Sequence, residues 1–402
     1  MKILTVFNSI PDNIDDVIYK GLVARHVDVT ELNYVPTHNA RIEDGRLHLF
    51  DTKGNIIAKE ADDGLIHFDM KQGKQIRCHK WNCTTGENYR FEPGALDYLD
   101  SYDAILVDVK TAAMLSKNTL IDARERIYML DGTDDWLIRK IHSNSQIYFK
   151  RELMSRRVPD LGEAVTLYFA DRRLDSGAST TSPMKAASLW TRRALAAFGD
   201  TARDKSYANF RGKLQKTDAK FKSLNLTVAS HGYVGNLNNV RREYDIVFIT
   251  SSIMRSRVRF AERVARFAKE EGLNAFVKVT GRFYGEVAWN EYVEKIQSSK
   301  LAIAYPGRGF DTIRYWEIPC YGSALVSPVL PIVIDNNFKD MEEAIFFSNF
   351  SEFRRKVLLA LREGLWEEIA QKGHEKFLKY HSETSRAEGV LDNISVRRNT
   401  QL

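Results

Sequence analysis

Three cysteines in 402 residues are too few for a disulfide framework, and their scarcity points to a reducing compartment, the cytoplasm, as the expected location. Long apolar runs are missing as well. None approaches the roughly 18 residues that a membrane-spanning helix needs. The opening stretch MKILTVFNSIPDN has one lysine, a short apolar run and no small-residue cleavage site. It reads as a first strand and not as a secretory leader. The loop after that strand, Asn8–Asn13, contains no GxGxxG, so the usual dinucleotide fingerprint is absent where a first βα turn would carry it. No repeat or low-complexity segment interrupts the chain. What remains is ordinary for a globular protein, with 44% hydrophobic and 28% charged residues, and the length suggests two or three domains. The net charge of +6 admits an anionic partner such as a nucleotide, a nucleic acid or an acidic lipid surface without choosing among them.

Along the chain the pattern is that of alternating strands and helices. Lys2–Phe7, Ile14–Ala24 and Val27–Leu32 read as a β-α-β start. Arg41–Arg90 breaks the rhythm. There Arg46–Phe50 and Asn55–Lys59 flank Asp-Thr-Lys-Gly, a hairpin turn, and two further short strands follow, which predicts a small antiparallel insertion. His67, Cys78, His79 and Cys83 fall inside it, at spacings that match no standard zinc pattern, so they read as structural residues. The α/β rhythm returns with strands at Ala104–Val109, Ile127–Leu130 and Gln146–Phe149 and helices at Ala112–Arg124 and Trp136–His142. The strand at Ile127 ends in Asp131-Gly-Thr-Asp-Asp135. Carboxylates at a strand's carboxyl end suit a general base, whereas Asp134 or Asp135 can equally cap the next helix. Lys205–Lys222 mixes lysine and arginine with Tyr and Phe, which fits either a nucleic-acid surface or a solvated helix face.

A second α/β unit begins near Tyr244. Its strands are expected at Asp245–Ile249, Ala275–Val279, Leu301–Tyr305, Ala324–Ser327 and Ile345–Phe347. Its helices are expected at Arg257–Glu271, Trp289–Ser298, Thr312–Tyr321 and Ser351–Arg362, followed by a long, mainly helical end over Leu365–Leu391 and a frayed tail after Ser395. Arg255 and Arg259, four apart at the start of the first of these helices, share a face. Two guanidinium forks at a strand's carboxyl end can hold a diphosphate. Gly281 and the loop Gly307–Gly309 leave room for close backbone approach. Arg314 and Glu317, three apart on the following helix, suit a ligand with both phosphates and a hydroxylated sugar. A surface ion pair explains the same spacing.

The stretch FDTIRYWEIPCYGSALVSP, followed by Asp335-Asn-Asn-Phe338 and Glu343-Ala-Ile-Phe-Phe347, resembles the nucleotide-sugar half of GT-B glycosyltransferases, most of all the CgeB-like, glycosyltransferase group 1 proteins. Arg314-x-x-Glu317 and Arg255-Ser-x-x-Arg259 are also similar to phage DNA β-glucosyltransferase. IYMLDGTDD and YFKREL are similar to the acceptor half of CgeB-like enzymes. The resemblance implies an α/β GT-B fold, two Rossmann-like domains facing a cleft. An acceptor-side domain would span 1–240 with its β insertion near 41–90, a donor domain 241–380, and a helix and tail 381–402 that can return to the N-terminal domain. It implies a hexosyl transfer from a nucleotide-diphosphate sugar, a UDP-sugar first of all, to an acceptor hydroxyl. Glu317 would accept from the ribose hydroxyls, and Arg255, Arg259 and Arg314 would hold the diphosphate. Gly281, Gly307 and Gly309 would admit the nucleotide. No metal and no other cofactor is expected, since cationic side chains and helix dipoles stabilise the leaving diphosphate in such enzymes. Pro319 inside the Glu317 helix and glycine at 309, where the retaining group keeps a second glutamate, depart from the pattern and leave the stereochemistry open. For an inverting enzyme Asp131 is the candidate base. A transferase acting on modified DNA bases and an inactive coat-associated protein are the competing expectations.

Overall fold

The computed structural model describes residues 1–7, 13–31, 40–43, 46–50, 56–62, 65–70, 74–79, 89–91, 95–109, 125–132, 146–153, 221–227, 240–252, 255–281, 287, 289–307, 309–330 and 332–399. The expected helices at 112–124 and 136–142 lie outside them, as do Asp134, Asp135, Cys83 and nearly all of the basic stretch 205–222. So do the side chains of His67, Cys78 and His79.

The N-terminal half is built on seven parallel strands. Their order across the sheet is β12 (Phe221–Ser223), β11 (Ile147–Lys150), β10 (Ile127–Asp131), β9 (Ala104–Asp108), β1 (Lys2–Val6), β2 (Asp28–Glu31) and β8 (Tyr89–Phe91). The central strands are apolar and fully buried, as strands covered on both faces must be. Period-two alternation sorts their side chains. Ile3, Leu106, Tyr128 and Phe149 join one apolar cluster, and Leu4, Val107, Met129 and Tyr148 join the other. Helix α1 (Asn13–Ala24) follows β1 and covers the first face with Ile14, Ile18 and Leu22.

Five antiparallel strands form a separate meander, β3 (Ala40–Glu43), β4 (Arg46–Phe50), β5 (Ile56–Glu60), β6 (Leu65–Met70) and β7 (Lys74–His79). Among the described residues β7 is its last strand. Tyr89–Phe91 pairs in parallel with β2, because its neighbours there are the strand-edge N–H and C=O groups of the main sheet.

The C-terminal half has a parallel sheet of its own, ordered β14 (Ala275–Thr280), β13 (Tyr244–Ser251), β15 (Ser299–Ile303), β16 (Ala324–Pro328) and β17 (Ile345–Phe347). Helices α2 (Arg255–Glu270), α3 (Trp289–Gln297), α4 (Ile313–Cys320), α5 (Phe350–Arg362) and α6 (Leu365–Tyr380) alternate with or follow its strands. The order changes direction between β13 and β15, which makes the carboxyl ends of those two strands the switch point of the sheet.

The mainly helical end over Leu365–Leu391 consists of two helices. His381 and Ser382 separate α6 from α7 (Glu383–Asn399), and the turn is fixed by the buried His381. Its Nε2 lies 3.1 Å from the Asn336 carbonyl oxygen, and its ring packs on Trp316 and Phe338. Helix α7 continues past Ser395, where fraying was expected. It packs on α1 of the N-terminal half, burying Ala387, Val390 and Ile394. The approach is close: a Cβ on Gly21 would sit 2.1 Å from the Glu383 carbonyl oxygen.

Candidate functional site

At the switch point the chain places an arginine. Arg257, in the first turn of α2, is buried and turns its guanidinium to the carboxyl ends of β13 and β15. Its Nε donates to the Pro306 carbonyl at 2.9 Å, Nη2 to the Tyr305 carbonyl at 3.0 Å and Nη1 to Ser251 Oγ at 3.2 Å. One cation thus ties together the two strand ends that bound the crevice. Gly307 lies against it. A Cβ at 307 would fall 2.5 Å from Arg257 Nη2. The loop then tightens through a bond of 2.9 Å from Gly307 N to the Gly309 carbonyl.

Arg257 is the residue that sequence reasoning missed. Attention to the i, i+4 pair led to Arg255 and Arg259. Arg259 is exposed on α2, and the side chain of Arg255 is outside the described residues. The signal for Arg257 was present. Phe260, Ala261, Val264, Phe267 and Ala268 form the buried stripe of α2, and Arg257 is one turn before it at helical spacing.

Helix α4 follows the loop, with Thr312 at its N-cap and Tyr321 at its C-cap. Its Glu317 is 1% exposed, which excludes the surface ion pair. Tyr292 of α3 donates its hydroxyl to Glu317 Oε2 at 2.5 Å. The Arg314 guanidinium stands 5.7 Å from the centre of the same tyrosine ring. Burial pushes the Glu317 carboxyl up to about 7, against the opposing pull of Arg314 and the Tyr292 hydrogen bond. The structure therefore gathers Arg314, Glu317 and Tyr292 beside the switch-point loop. Gly281, at the end of β14, is half-buried at the same edge of the sheet. Pro319 is accommodated near the end of α4, and its carbonyl is taken up by His374 Nδ1 at 2.8 Å and Gly322 N at 3.2 Å.

The N-terminal half meets this edge through the carboxyl ends of β10, β11 and β12. Asp131 and Lys150 are register partners on β10 and β11, and Lys150 Nζ reaches Asp131 Oδ2 at 3.0 Å with both side chains fully buried. Tyr148 donates its hydroxyl to the same carboxylate oxygen. The candidate base is thus held in a buried pair inside the N-terminal sheet. The next residue, Arg151, bridges the halves: Nη1 donates to the Gly132 carbonyl at 3.2 Å and Nη2 to the Asp311 carbonyl.

Asp311, just ahead of α4, is the hub of the seam. Its Oδ2 accepts from Leu226 N at 2.6 Å, and its Oδ1 accepts from Trp316 Nε1 at 2.8 Å. Its own N–H donates to Glu152 Oε1 at 3.0 Å. Burial raises the Asp311 carboxyl above the ordinary aspartate range, while Arg151 and the two donors pull it back. Asn225 Nδ2 donates to the carbonyls of Arg151 (3.1 Å) and Val333 (3.2 Å), and Ser223 Oγ donates to Asp335 Oδ2 (2.8 Å). Sequence reasoning placed nothing on Asp311, Arg151 or Glu152 beyond the quoted stretches. Their roles depend on contacts between residues 159 and 160 positions apart.

No helix among the described residues is long and apolar enough to cross a membrane. No curated protein matches the sequence. Among solved structures, a mutant of S. aureus TarM in complex with fondaparinux, α-GlcNAc-glycerol and UDP is similar at 11% identity and a TM-score of 0.44, over 98% of this chain and 100% of that one. A glycosyltransferase from Rickettsia africae is similar at 7% identity and a TM-score of 0.49, over 98% of each chain. An alpha-glucosyltransferase bound to UDP and a 13-mer DNA containing an HMU base is similar at 8% identity and 0.46, over 98% of this chain and 99% of that one. Likeness at this level does not reach chemistry. Residues 255–392 match the family model described as "Glycosyl transferase-like". That span runs from Arg255 through Arg257, the glycine loop, Arg314 and Glu317 into α7. Over residues 255–392 the chain is thus similar to the glycosyl transferase-like family.

Proposed function

We propose that the protein transfers a hexosyl group from a UDP-sugar to an acceptor hydroxyl. The observation that carries this reading is the cluster of buried Glu317 and Tyr292 with half-buried Arg314, beside the switch-point loop and within the glycosyl transferase-like match. A carboxylate beside a helix start can accept both hydroxyls of a ribose. Arginines and unpaired helix N–H groups at the same edge supply positive charge to a diphosphate.

In the reaction the bond from the sugar's anomeric carbon to the β-phosphate oxygen breaks, and the electron pair leaves with UDP. The anomeric carbon bonds to the acceptor oxygen, and the acceptor proton passes to a base. Arg255, Arg259 and Arg314 are assigned to the diphosphate, Glu317 to the ribose, and Gly281, Gly307 and Gly309 to backbone approach. Positive charge from side chains and peptide dipoles makes a metal unnecessary for departure of the diphosphate. Asp131 is the acceptor-side candidate for the base.

The test is calorimetric titration of UDP-glucose into the wild type, Glu317→Ala and Arg259→Ala. Both variants are expected to lose binding by about 100-fold or more while circular dichroism shows an intact fold, the scale at which a charged or hydrogen-bonded contact is removed. Wild-type affinity in both variants would refute the assignment.

A further inference from the structure

Glu152 is a carboxylate from the N-terminal half that ends inside the C-terminal half's glycine loop. It stands two residues past the end of β11 and is fully buried. Its Oε1 accepts the Asp311 N–H at 3.0 Å. A Cβ built on Gly309 would lie 2.1 Å from Glu152 Oε1, 2.9 Å from Cδ and 3.2 Å from Oε2. The carboxylate therefore occupies the space into which any side chain at 309 would project. Gly309 has no backbone need for glycine in the form of a positive φ. The absent side chain, not the conformation, is what the site requires.

We infer that Glu152 is a positioning residue for the loop Gly307–Asp311: it fills the place of the side chain that Gly309 lacks and fixes, from the opposite half of the molecule, the backbone that approaches the nucleotide diphosphate. The loop sits between two anchors. Arg257 holds Tyr305 and Pro306 from within the C-terminal half, and Glu152 holds Asp311 from across the seam. Without the second anchor the buried Asp311 N–H loses its acceptor and the space beside Gly309 empties, while Arg151, Leu226 and Trp316 still hold the rest of Asp311. The nucleotide site is then complete only when the two halves are docked. This inference rests on the UDP-sugar reading for the identity of the ligand, but not for the contact itself.

Simple glue between domains would lower stability and leave the affinity of the folded protein alone. A positioning role changes both. The experiment uses the full chain as Glu152→Ala, Glu152→Gln, Gly309→Ala and the double variant Glu152→Ala/Gly309→Ala, with UDP as the calorimetric probe and melting temperature as the second readout. Glu152→Ala is expected to weaken UDP about 10-fold, the scale of one buried hydrogen bond. Glu152→Gln recovers most of that loss, because its amide oxygen accepts the same N–H. Gly309→Ala weakens UDP comparably in the wild type by driving the carboxylate out. In the Glu152→Ala background it costs under about twofold more, since the space is already vacant, a coupling that only neighbouring residues show. Wild-type affinity in Glu152→Ala, or losses that simply multiply in the double variant, would overturn the inference. If the wild type binds no UDP, it is the UDP-sugar reading that fails. The melting temperatures then decide: a Gly309→Ala loss confined to the wild-type background supports the anchoring, and an equal loss in both backgrounds overturns it.

Discussion

Lys150 and Asp131 face each other across adjacent parallel strands at 3.0 Å, with neither side chain exposed. A pair enclosed this way is asymmetric under mutation, since removing one partner strands the other charge in a low-dielectric interior. Asp131→Ala is expected to cost about 3–5 kcal/mol, and adding Lys150→Met to recover most of it, as read from urea unfolding. The same double variant tests Asp131 as a base. Folded and able to bind UDP, it should be inactive. Activity in that variant removes Asp131 from the chemistry.

Glu317 sets a pH dependence. Its carboxyl titrates near 7 in the folded protein against 4.5 when unperturbed, because burial disfavours the ionised form. Between those values the folded state holds the proton and the unfolded state does not. Stability therefore falls as pH rises from 4.5 to 7, by up to about 3 kcal/mol, and levels off above. Glu317→Gln should flatten that slope in denaturation curves taken from pH 4 to 8. UDP-sugar binding runs the opposite way if the ionised carboxylate accepts the ribose hydroxyls. It should strengthen between pH 6 and 8 in the wild type, and Glu317→Gln should lose that rise.

Arg257→Ala removes a charged donor from two carbonyls and a hydroxyl at once. Each such bond contributes on the order of 1.5–3 kcal/mol, but Ser251 and the loop can relax toward water. A net loss of about 2–4 kcal/mol by thermal unfolding is expected, together with weaker UDP binding. Arg257→Lys should not restore either, because one ammonium cannot span the Tyr305 and Pro306 carbonyls as a planar fork does. Full rescue by lysine would show that charge alone suffices.

Gly21→Ala tests the contact of α7 with α1. In an isolated helix the change is stabilising by up to about 1 kcal/mol. Here the new methyl group would meet the Glu383 carbonyl oxygen at 2.1 Å and Ala387 Cβ at 2.6 Å. The helices must separate, so a loss of about 1–3 kcal/mol is expected, with the sign alone deciding the matter in a urea titration.

What the sequence made legible was what is local. Apolar runs placed the inner strands of the N-terminal sheet and the strands of the C-terminal sheet to within a residue or two, because strands covered on both faces are continuous hydrophobic segments, whereas the edge strands Tyr89–Phe91 and Phe221–Ser223, short and polar, were not foreseen. The Arg314–Glu317 relation followed from a three-residue spacing, and the structure adds Tyr292, which comes from another helix. Arg257 was hidden by its neighbours, since two flanking arginines on one face drew the reading away from the one on the buried stripe. The break at His381 carries no Gly or Pro. It is made by Asn336, Trp316 and Phe338, all distant in the chain. The seam at Asp311 was illegible for the same reason: its partners Arg151, Glu152 and Leu226 are fixed by how two sheets meet.

Helix α7 leaves the C-terminal half and closes the apolar face of α1, the first helix of the chain. During synthesis that face stays uncovered until the entire C-terminal sheet has been made and residues 383–399 have emerged. The N-terminal half therefore cannot mature as an independent folding unit ahead of its partner. Expressed alone, it would present the Gly21 face of α1 without the cover that Glu383 and Ala387 of α7 provide, and would need a chaperone or the missing helix supplied in trans to remain dispersed.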